Sequence, residues 1–203
     1  MVSVRLGEDA TRELIAPWGD RLEIAVVNGT SAVVVAGDVE PLREAVAGLR
    51  EHGVRVREVR VDYASHTRHV EDIEELLAGV LGGVTAHAPA VPFYSTVTGG
   101  WVADEGVLDS GYWYRNLRER VGFGPAVADL LGQGFGAFVE VSAHPVLMQP
   151  ITDLVDELRA PDAPRPPVTG TLRRNDGGLS CLFGSAAQLF TGGAAVDWAA
   201  ALP

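Results

Sequence analysis

The chain has 203 residues, which suffice for one domain of good size or for two small subdomains. Its formal net charge of −11 argues against nucleic acid as a partner, because phosphate binding requires a basic surface. Its apolar runs are only as long as strands, which predicts no membrane span, and its N-terminus lacks the basic and hydrophobic stretches of a secretory signal. Its single cysteine, Cys181, excludes an internal disulfide and is typical of a cytoplasmic protein.

The first sixty residues have the most regular pattern of apolar and polar residues. Alternation predicts strands over residues 2–6, 22–27, 31–36 and 54–61. Apolar residues at helical spacing predict helices over residues 8–17 and 38–52. Asp38 is the predicted N-cap of the second helix, and Gly53 is the predicted left-handed residue that ends it. Asn28 and Gly29 tolerate the positive φ angles of tight turns and predict a hairpin between the second and third strands.

This order of elements, β-α-β-β-α-β, is that of the ferredoxin-like split βαβ arrangement. We therefore predict that residues 2–61 form a four-stranded antiparallel sheet with two helices on one face.

The rest of the chain alternates helical and strand patterns, so the predicted fold class is α/β. One predicted helix begins shortly after His66, and its apolar face is formed by Val70, Ile73, Leu77 and Val80. Further helices are predicted over residues 109–120, 125–131, 145–158 and 179–189. Strands are predicted over residues 91–97, 137–141 and 168–172, the second of them short and buried. Residues 160–167 are rich in proline and predict a linker.

A serine nucleophile is absent from the sequence in the form that acyl-enzyme chemistry usually requires. Such a serine sits in a Gly-x-Ser-x-Gly elbow between a strand and a helix, and the chain has no such motif. Cys181 lies in an apolar helical segment with no base near it in sequence, which is typical of a small core residue.

The histidines leave several interpretations open. His66 follows a predicted strand, where α/β proteins often present functional residues, and its alternative role is that of a hydrogen-bonded structural histidine. His66 and His69 could also form a metal pair with Glu71 or Asp72, although no companion Cys/His cluster accompanies them. His144 follows another strand and marks either the rim of a site or a turn.

Aromatic residues beside arginines form one further candidate site. Trp113 and Tyr114 lie beside Arg115 and Arg118, a combination used for nucleotide stacking. The acidic balance of the chain favours ordinary packing instead.

Five blocks in order along the chain resemble the C-terminal part of an acyltransferase domain from a modular type I polyketide synthase. The first four blocks lie at residues 25–37, 61–66, 112–123 and 138–147, and the fifth consists of two pieces, 172–178 and 196–198. The second contains Tyr63-Ala64-Ser65-His66, similar to the family's histidine motif, and the third contains Trp113-Tyr114-Arg115-Asn116-Leu117-Arg118. Together they cover nearly the whole sequence.

The resemblance implies a ferredoxin-like subdomain inserted into an α/β-hydrolase-like acyltransferase core. It assigns residues 1–61 to the ferredoxin-like subdomain, 62–160 to the C-terminal part of the hydrolase-like subdomain and 161–203 to the linker that follows the domain.

The family transfers an α-carboxyacyl group from coenzyme A to a serine and then to the phosphopantetheine thiol of an acyl carrier protein, with no bound cofactor. The resemblance implies that His66 is the general base and that the backbone carbonyl of Asn116 orients its ring. It also implies that Tyr63 and Ser65 contact the substrate and select methylmalonyl over malonyl units. A small serine leaves room for the extra methyl group, which is worth about 1–3 kcal/mol of discrimination.

The family's serine motif and the arginine that binds the substrate carboxylate would precede residue 1. The chain is therefore expected to be an acyltransferase fragment, inactive alone, whose partners are (methyl)malonyl-CoA, the carrier protein, the ketosynthase and the N-terminal acyltransferase half. Two alternatives remain: a non-catalytic remnant that binds a carrier protein or another synthase domain, and an unrelated hydrolase that uses His66 and His144.

Overall fold

The computed structural model describes residues 1–59 and 61–201 as a mixed α/β protein. Arg60, which belongs to the predicted strand over 54–61, lies outside the described residues. So do residues 202–203, at the end of the predicted linker over 161–203. Within the described part of the chain, no helix is long and apolar enough to cross a membrane.

The chain divides by its contacts into two compact units, Met1–Ala126 and Val127–Pro203. The elements of the first unit, in chain order, are β1 (Val2–Val4), α1 (Glu8–Ile15), β2 (Leu22–Gly29), β3 (Ala32–Gly37), α2 (Val39–Glu51), β4 (Val56–Glu58), α3 (Glu74–Leu81), β5 (Phe93–Ser95), β6 (Gly100–Val102) and α4 (Ser110–Arg118). Helix α5 (Phe123–Gly132) contains the boundary residue. The second unit continues with β7 (Phe138–Glu140), α6 (Met148–Leu158), β8 (Val168–Gly170), α7 (Leu179–Thr191) and α8 (Trp198–Ala201). The division predicted at residues 61 and 160 remains a prediction.

The first four strands form one antiparallel sheet in the order β2-β3-β1-β4. Side chains alternate along each strand, so Val33 and Val35 of β3 lie on one face and Val34 lies on the other. The first face packs against both helices through a buried core that includes Ile15 of α1 and Leu49 of α2. The predicted pairing of the second strand with the third is confirmed.

The hairpin between β2 and β3 turns two residues later than predicted. Gly29 pairs with Ala32, so the turn consists of Thr30 and Ser31, and neither Asn28 nor Gly29 has a positive φ. The prediction of a turn at Asn28-Gly29 is therefore wrong in position. The register shifts around Asn28, where the backbone of Gly124 approaches so closely that an added Cβ would lie 2.9 Å from the Asn28 carbonyl carbon. The strand continues past this contact before it turns.

Helix α2 ends as the sequence predicts. Gly53 has φ +74°, and its N–H donates to the carbonyl of Arg50 at 3.0 Å while that of Val54 donates to Leu49 at 2.9 Å. This pair of bonds satisfies carbonyls that the last turn would otherwise leave free, and it needs a left-handed residue at Gly53.

The predicted elements differ most from the observed ones in the segment after β4. The single helix predicted after His66 is a 3₁₀ helix over Arg68–Ile73 followed by α3. The apolar face predicted for it is not buried, and Val80 is 69% exposed.

In the second unit, β7 and β8 pair in parallel, and α6 and α7 both pack against β8. Ile151, Leu154 and Val155 of α6 are buried. The strand predicted to be buried over 137–141 is not, because Val139 is 43% exposed and Val141 is 83% exposed. The apolar sequence therefore predicts the strand correctly, but Val139 and Val141 are not buried within the described part of the chain.

Candidate active site

His66 occupies a left-handed backbone conformation between β4 and the 3₁₀ helix, with φ +62°. Non-glycine residues rarely adopt this conformation, and those that do are held in place by their surroundings. Two carbonyls near the end of α4 hold His66. Its backbone N–H donates to Leu117 at 2.8 Å, and its ring Nδ1 lies 2.8 Å from the carbonyl oxygen of Glu119.

The Glu119 contact fixes the state of the imidazole. A carbonyl oxygen only accepts hydrogen bonds, so Nδ1 carries the hydrogen and Nε2 keeps its lone pair. Partial burial of the imidazole ring lowers the pKa of His66 below its ordinary value, and the bond to Glu119 offsets only some of that decrease. The side chain is therefore neutral near pH 7, with Nε2 able to take up a proton.

The orienting carbonyl is that of Glu119, and the assignment of this contact to Asn116 is wrong. Asn116 lies inside the last turn of α4, where carbonyls run along the helix axis. Glu119 caps the helix in an extended conformation, which frees its carbonyl to face the ring. The prediction placed the contact in the correct segment but three residues too early.

The residues next to His66 are anchored on both sides. Thr67 is fully buried, and its hydroxyl donates to the carbonyl of Ala64 at 2.6 Å. The Arg68 guanidinium donates to both carboxylate oxygens of Asp38, at 3.0 and 2.9 Å. These contacts order residues 64–68, called the histidine loop below, and tie the loop to the start of α2.

Asp38 has a different role from the predicted one. It stands at the N-cap position of α2 but makes no side-chain capping bond. Its carboxylate instead accepts from Arg21 at 3.0 Å and lies 2.7 Å from Nε2 of His69, as well as binding Arg68. The bonds to Arg21 and His69, followed by the charge of Arg68, lower the pKa of Asp38. Three partners from distant segments thus engage the carboxylate that a local cap would have used.

A second group of charges joins β2 to the same loop. Glu23 accepts from the backbone N–H of Arg68 at 2.6 Å and from the Arg118 guanidinium at 2.9 Å. Arg118 also donates to Glu71 at 2.8 Å. No sequence pattern singles out Glu23, whereas Arg118 belongs to the stacking candidate and to the third family block without either of them predicting its bond to Glu23.

The two residues predicted to contact substrate lie in different surroundings. Ser65 is 8% exposed, whereas Tyr63 is 63% exposed. Tyr63 lines a cavity of about 750 Å³ together with Leu42 and Val46 of α2. Neither Ser65 nor His66 lines this cavity.

The remaining candidates do not assemble into a second site. His69 binds Asp38, and the described residues contain no group of three or more His, Cys, Asp or Glu side chains that could hold a metal ion. Trp113 donates to the carbonyl of Leu108 and packs edge-to-face on buried Tyr112. Cys181 is half-buried in α7.

His144 lies exposed in a loop that Glu140 organises. The Glu140 carboxylate accepts from the hydroxyl of Ser142 and from the backbone N–H groups of Val146, Leu147 and Met148, at 2.7 to 3.1 Å. The sequence does not predict this role of Glu140, because most of the donors are backbone N–H groups, which no residue type marks in the sequence.

Residues 1–196 match the acyl transferase domain family. The chain is 48% identical over 204 residues to the pikromycin polyketide synthase component PikAII of Streptomyces venezuelae, and it covers 5% of that protein. It is 42% identical over 203 residues to the erythronolide synthase EryA2 of Saccharopolyspora erythraea, covering 6% of it.

Solved structures agree with this match. The acyltransferase domain from module 8 of the salinomycin polyketide synthase superposes with a TM-score of 0.92 at 45% identity, over 98% of this chain and 46% of that one. A loading acyltransferase from the avermectin synthase gives a TM-score of 0.84 at 39% identity, over 93% of this chain and 58% of that one. The chain thus spans about half the length of the solved domains that it matches, and it belongs to the acyltransferase domains of modular polyketide synthases.

Proposed function

We propose that this chain supplies the general base of an acyltransferase that moves a (methyl)malonyl group from coenzyme A to an acyl carrier protein. The observation that carries the proposal is the Nδ1 contact of His66 with the Glu119 carbonyl, which leaves Nε2 free. The depressed pKa of the half-buried ring supports the same role, because a base must be unprotonated at working pH.

In the proposed reaction, Nε2 of His66 takes the proton of a serine hydroxyl as the serine oxygen attacks the thioester carbonyl. The carbon–sulfur bond then breaks, and the coenzyme A thiolate leaves with that proton. In the second half, Nε2 takes the proton of the phosphopantetheine thiol, whose sulfur attacks the serine ester. The serine oxygen departs, regains the proton and releases the acyl group on the carrier.

The serine of this scheme is not among the 203 residues in a Gly-x-Ser-x-Gly elbow. We propose that the N-terminal acyltransferase half supplies it, together with the arginine that binds the substrate carboxylate. The chain alone is expected to retain no label from radioactive methylmalonyl-CoA and to transfer none to a carrier protein.

We also propose that the chain consists of a ferredoxin-like subdomain and part of an α/β-hydrolase-like core. The β-α-β-β-α-β order and the strand order β2-β3-β1-β4 support a ferredoxin-like subdomain at residues 1–61. The exposed apolar side chains of Val139 and Val141 support a hydrolase-like core at 62–160 that packs against the other half of the domain.

Substrate choice is assigned to Ser65, which directly precedes His66 and is almost fully buried. A phenylalanine there would fill the space that the extra methyl group of methylmalonyl needs. Ser65→Phe is therefore expected to lower the ratio of methylmalonyl to malonyl loading by about 10- to 200-fold, the range that one methyl group commands.

The test is reconstitution. The chain is co-expressed with a segment that carries the family's Gly-His-Ser-x-Gly motif, and transfer of radioactive methylmalonyl from coenzyme A to a carrier protein is measured. Transfer is expected in the complex, with a loss of about 10²–10⁴-fold in the His66→Asn variant. The matched control is His144→Asn, which changes an exposed histidine in the other unit and should leave transfer unchanged.

Two outcomes contradict the proposal. If His66→Asn retains full transfer, another group is the base. If the complex assembles and binds a carrier protein but never transfers label, the chain acts as the non-catalytic binding module instead.

A further inference from the structure

Glu23 connects the two segments that hold His66. One carboxylate oxygen, Oε1, accepts from the backbone N–H of Arg68, two residues after the histidine. The other, Oε2, accepts from the guanidinium of Arg118. Arg118 lies between Leu117 and Glu119, whose carbonyls bind the backbone and the ring of His66.

A single carboxylate therefore ties the histidine loop to the end of α4 through its two oxygens. The N–H of Arg68 is 2.6 Å from Oε1, and the Arg118 nitrogen is 2.9 Å from Oε2. Hydrogen bonds with a charged partner are stronger than neutral ones, and the Glu23 and Arg118 side chains are each only 26% exposed. Glu23 lies on β2, within the sheet of the first unit, so the tie rests on a regular element.

We propose that Glu23 is a positioning residue for His66. Its carboxylate sets the distance between the left-handed loop and the Glu119 carbonyl, and so it maintains the Nδ1–H form of the ring. This assignment rests on the proposed function for its importance to catalysis, but the geometry that it predicts can be measured without any acyl transfer.

Glu71 provides a matched comparison. It also accepts from Arg118, at 2.8 Å, but it is 52% exposed, and within the described residues its carboxylate makes no hydrogen bond to the backbone of the histidine loop. If simple neutralisation of Arg118 mattered, Glu71→Gln and Glu23→Gln would act alike. If the bridge to Arg68 matters, only Glu23→Gln should disturb the ring.

The change Glu23→Gln keeps the size of the side chain and replaces one oxygen with an NH₂ group. That group donates and cannot accept, so one of the two bonds must be lost. The unpaired donor, either the Arg68 N–H or the Arg118 guanidinium, then loosens one side of the contact between His66 and Glu119.

The experiment is nitrogen-15 NMR of the histidine rings in the 203-residue chain at a pH where His66 is neutral. The His66 signals are assigned from their absence in His66→Asn. In the unsubstituted chain, His66 should show the Nδ1–H tautomer alone. Glu23→Gln should give a mixture of both tautomers, while Glu71→Gln should retain the Nδ1–H form.

A purely structural role for Glu23 would lower the melting temperature and leave the tautomer unchanged, and that result overturns the proposal. Should Glu23→Gln fail to fold, Arg118→Met tests the same bridge, because a thioether side chain has no N–H to donate to Glu23. A single Nδ1–H tautomer in folded Arg118→Met would likewise overturn it. Absence of transfer in the reconstituted complex would refute the proposed function but not this positioning role.

Discussion

The four-stranded sheet of the first unit and the two-stranded sheet of the second are built from similar apolar segments but differ in what covers them. Val33 and Val35 of β3 are 0% and 1% exposed beneath α1 and α2. Val139 of β7 and Val141, which follows it, are 43% and 83% exposed. The pattern of a strand predicts where its side chains point, whereas burial depends on which elements pack against that face.

This difference has an energetic meaning. In the first region, one face of the sheet and the apolar faces of two helices close over each other. In the second, the helices cover β8 while apolar residues at β7 remain on the surface. The first region should therefore resist local opening with most of the stability of the chain, and the second should open more readily.

Limited proteolysis of the isolated chain gives the largest expected contrast. The first cuts should fall beyond residue 66, in exposed segments of the second unit such as 173–178, and leave an N-terminal fragment. A difference in opening free energy of about 4 kcal/mol corresponds to a ~1,000-fold difference in cleavage rate. Mass spectrometry of early fragments checks this. Equal protection of both units, with one cooperative melt, would contradict the difference.

Two leucines test the same contrast in the intact chain. Leu49 is 4% exposed in the core of the first unit, and Leu179 is 68% exposed on α7. Leu49→Ala should lower the free energy of unfolding by about 2–5 kcal/mol because it leaves a cavity. Leu179→Ala should change it by less than about 0.5 kcal/mol. Urea denaturation measures both, and a large loss in Leu179→Ala would show that α7 is covered in solution.

Two glycines should shift stability in opposite directions. A Cβ at Gly124 would lie 2.9 Å from backbone atoms of Asn28 and Gly29, which cannot move aside as a flexible side chain can. Gly124→Ala should cost about 1–3 kcal/mol. Gly184 lies inside α7 with nothing within 4 Å of an added Cβ, so Gly184→Ala should stabilise by about 0.5–1 kcal/mol. Thermal melts of the two variants, compared with the unsubstituted chain, provide the check.

The smallest effect concerns pH and is confined to the first unit. Burial lowers the pKa of His66 in the folded chain, so the unfolded chain binds its proton first as pH falls below about 6.5. The stability that the neutral ring contributes is present above that pH and is lost as pH falls toward the lowered folded pKa. His66→Asn should therefore lose less stability than the unsubstituted chain between pH 7 and pH 5. Denaturation curves at both pH values measure this, and parallel losses would contradict it.

The order of elements in the first sheet followed from local patterns alone. Alternation and helical spacing are properties of short segments, and so is the left-handed end of α2 at Gly53. The position of the hairpin turn did not follow, because it depends on the register of the whole β2–β3 pair and not on the residue types at Asn28-Gly29 alone. Gly124, almost a hundred residues away, approaches the strand at the point where that register shifts.

The candidate site shows the same limit more strongly. The histidine itself came from a family motif, but its partner carbonyl depended on where α4 ends, and a helix terminus is uncertain by one or two residues. Asp38 has the residue type of a helix cap, but its carboxylate binds Arg21 and Arg68, which are distant in sequence. Local sequence does not predict these partners. Glu23 looks like any polar residue on a strand until Arg68 and Arg118 are placed around it.

The Glu140 carboxylate at the start of α6 has a consequence for ligands that carry phosphate. The N-terminus of a helix attracts anions, because its free N–H groups and its dipole both favour negative charge. Here the N–H groups of Val146, of the N-cap Leu147 and of Met148, the first residue of α6, are already bound to the chain's own carboxylate. A phosphorylated molecule arriving at α6 would have to displace a covalently tethered competitor and would meet its negative charge first. Glu140 thus occupies the position at the start of α6 where an anion would bind, and we expect it to weaken the binding of phosphate there.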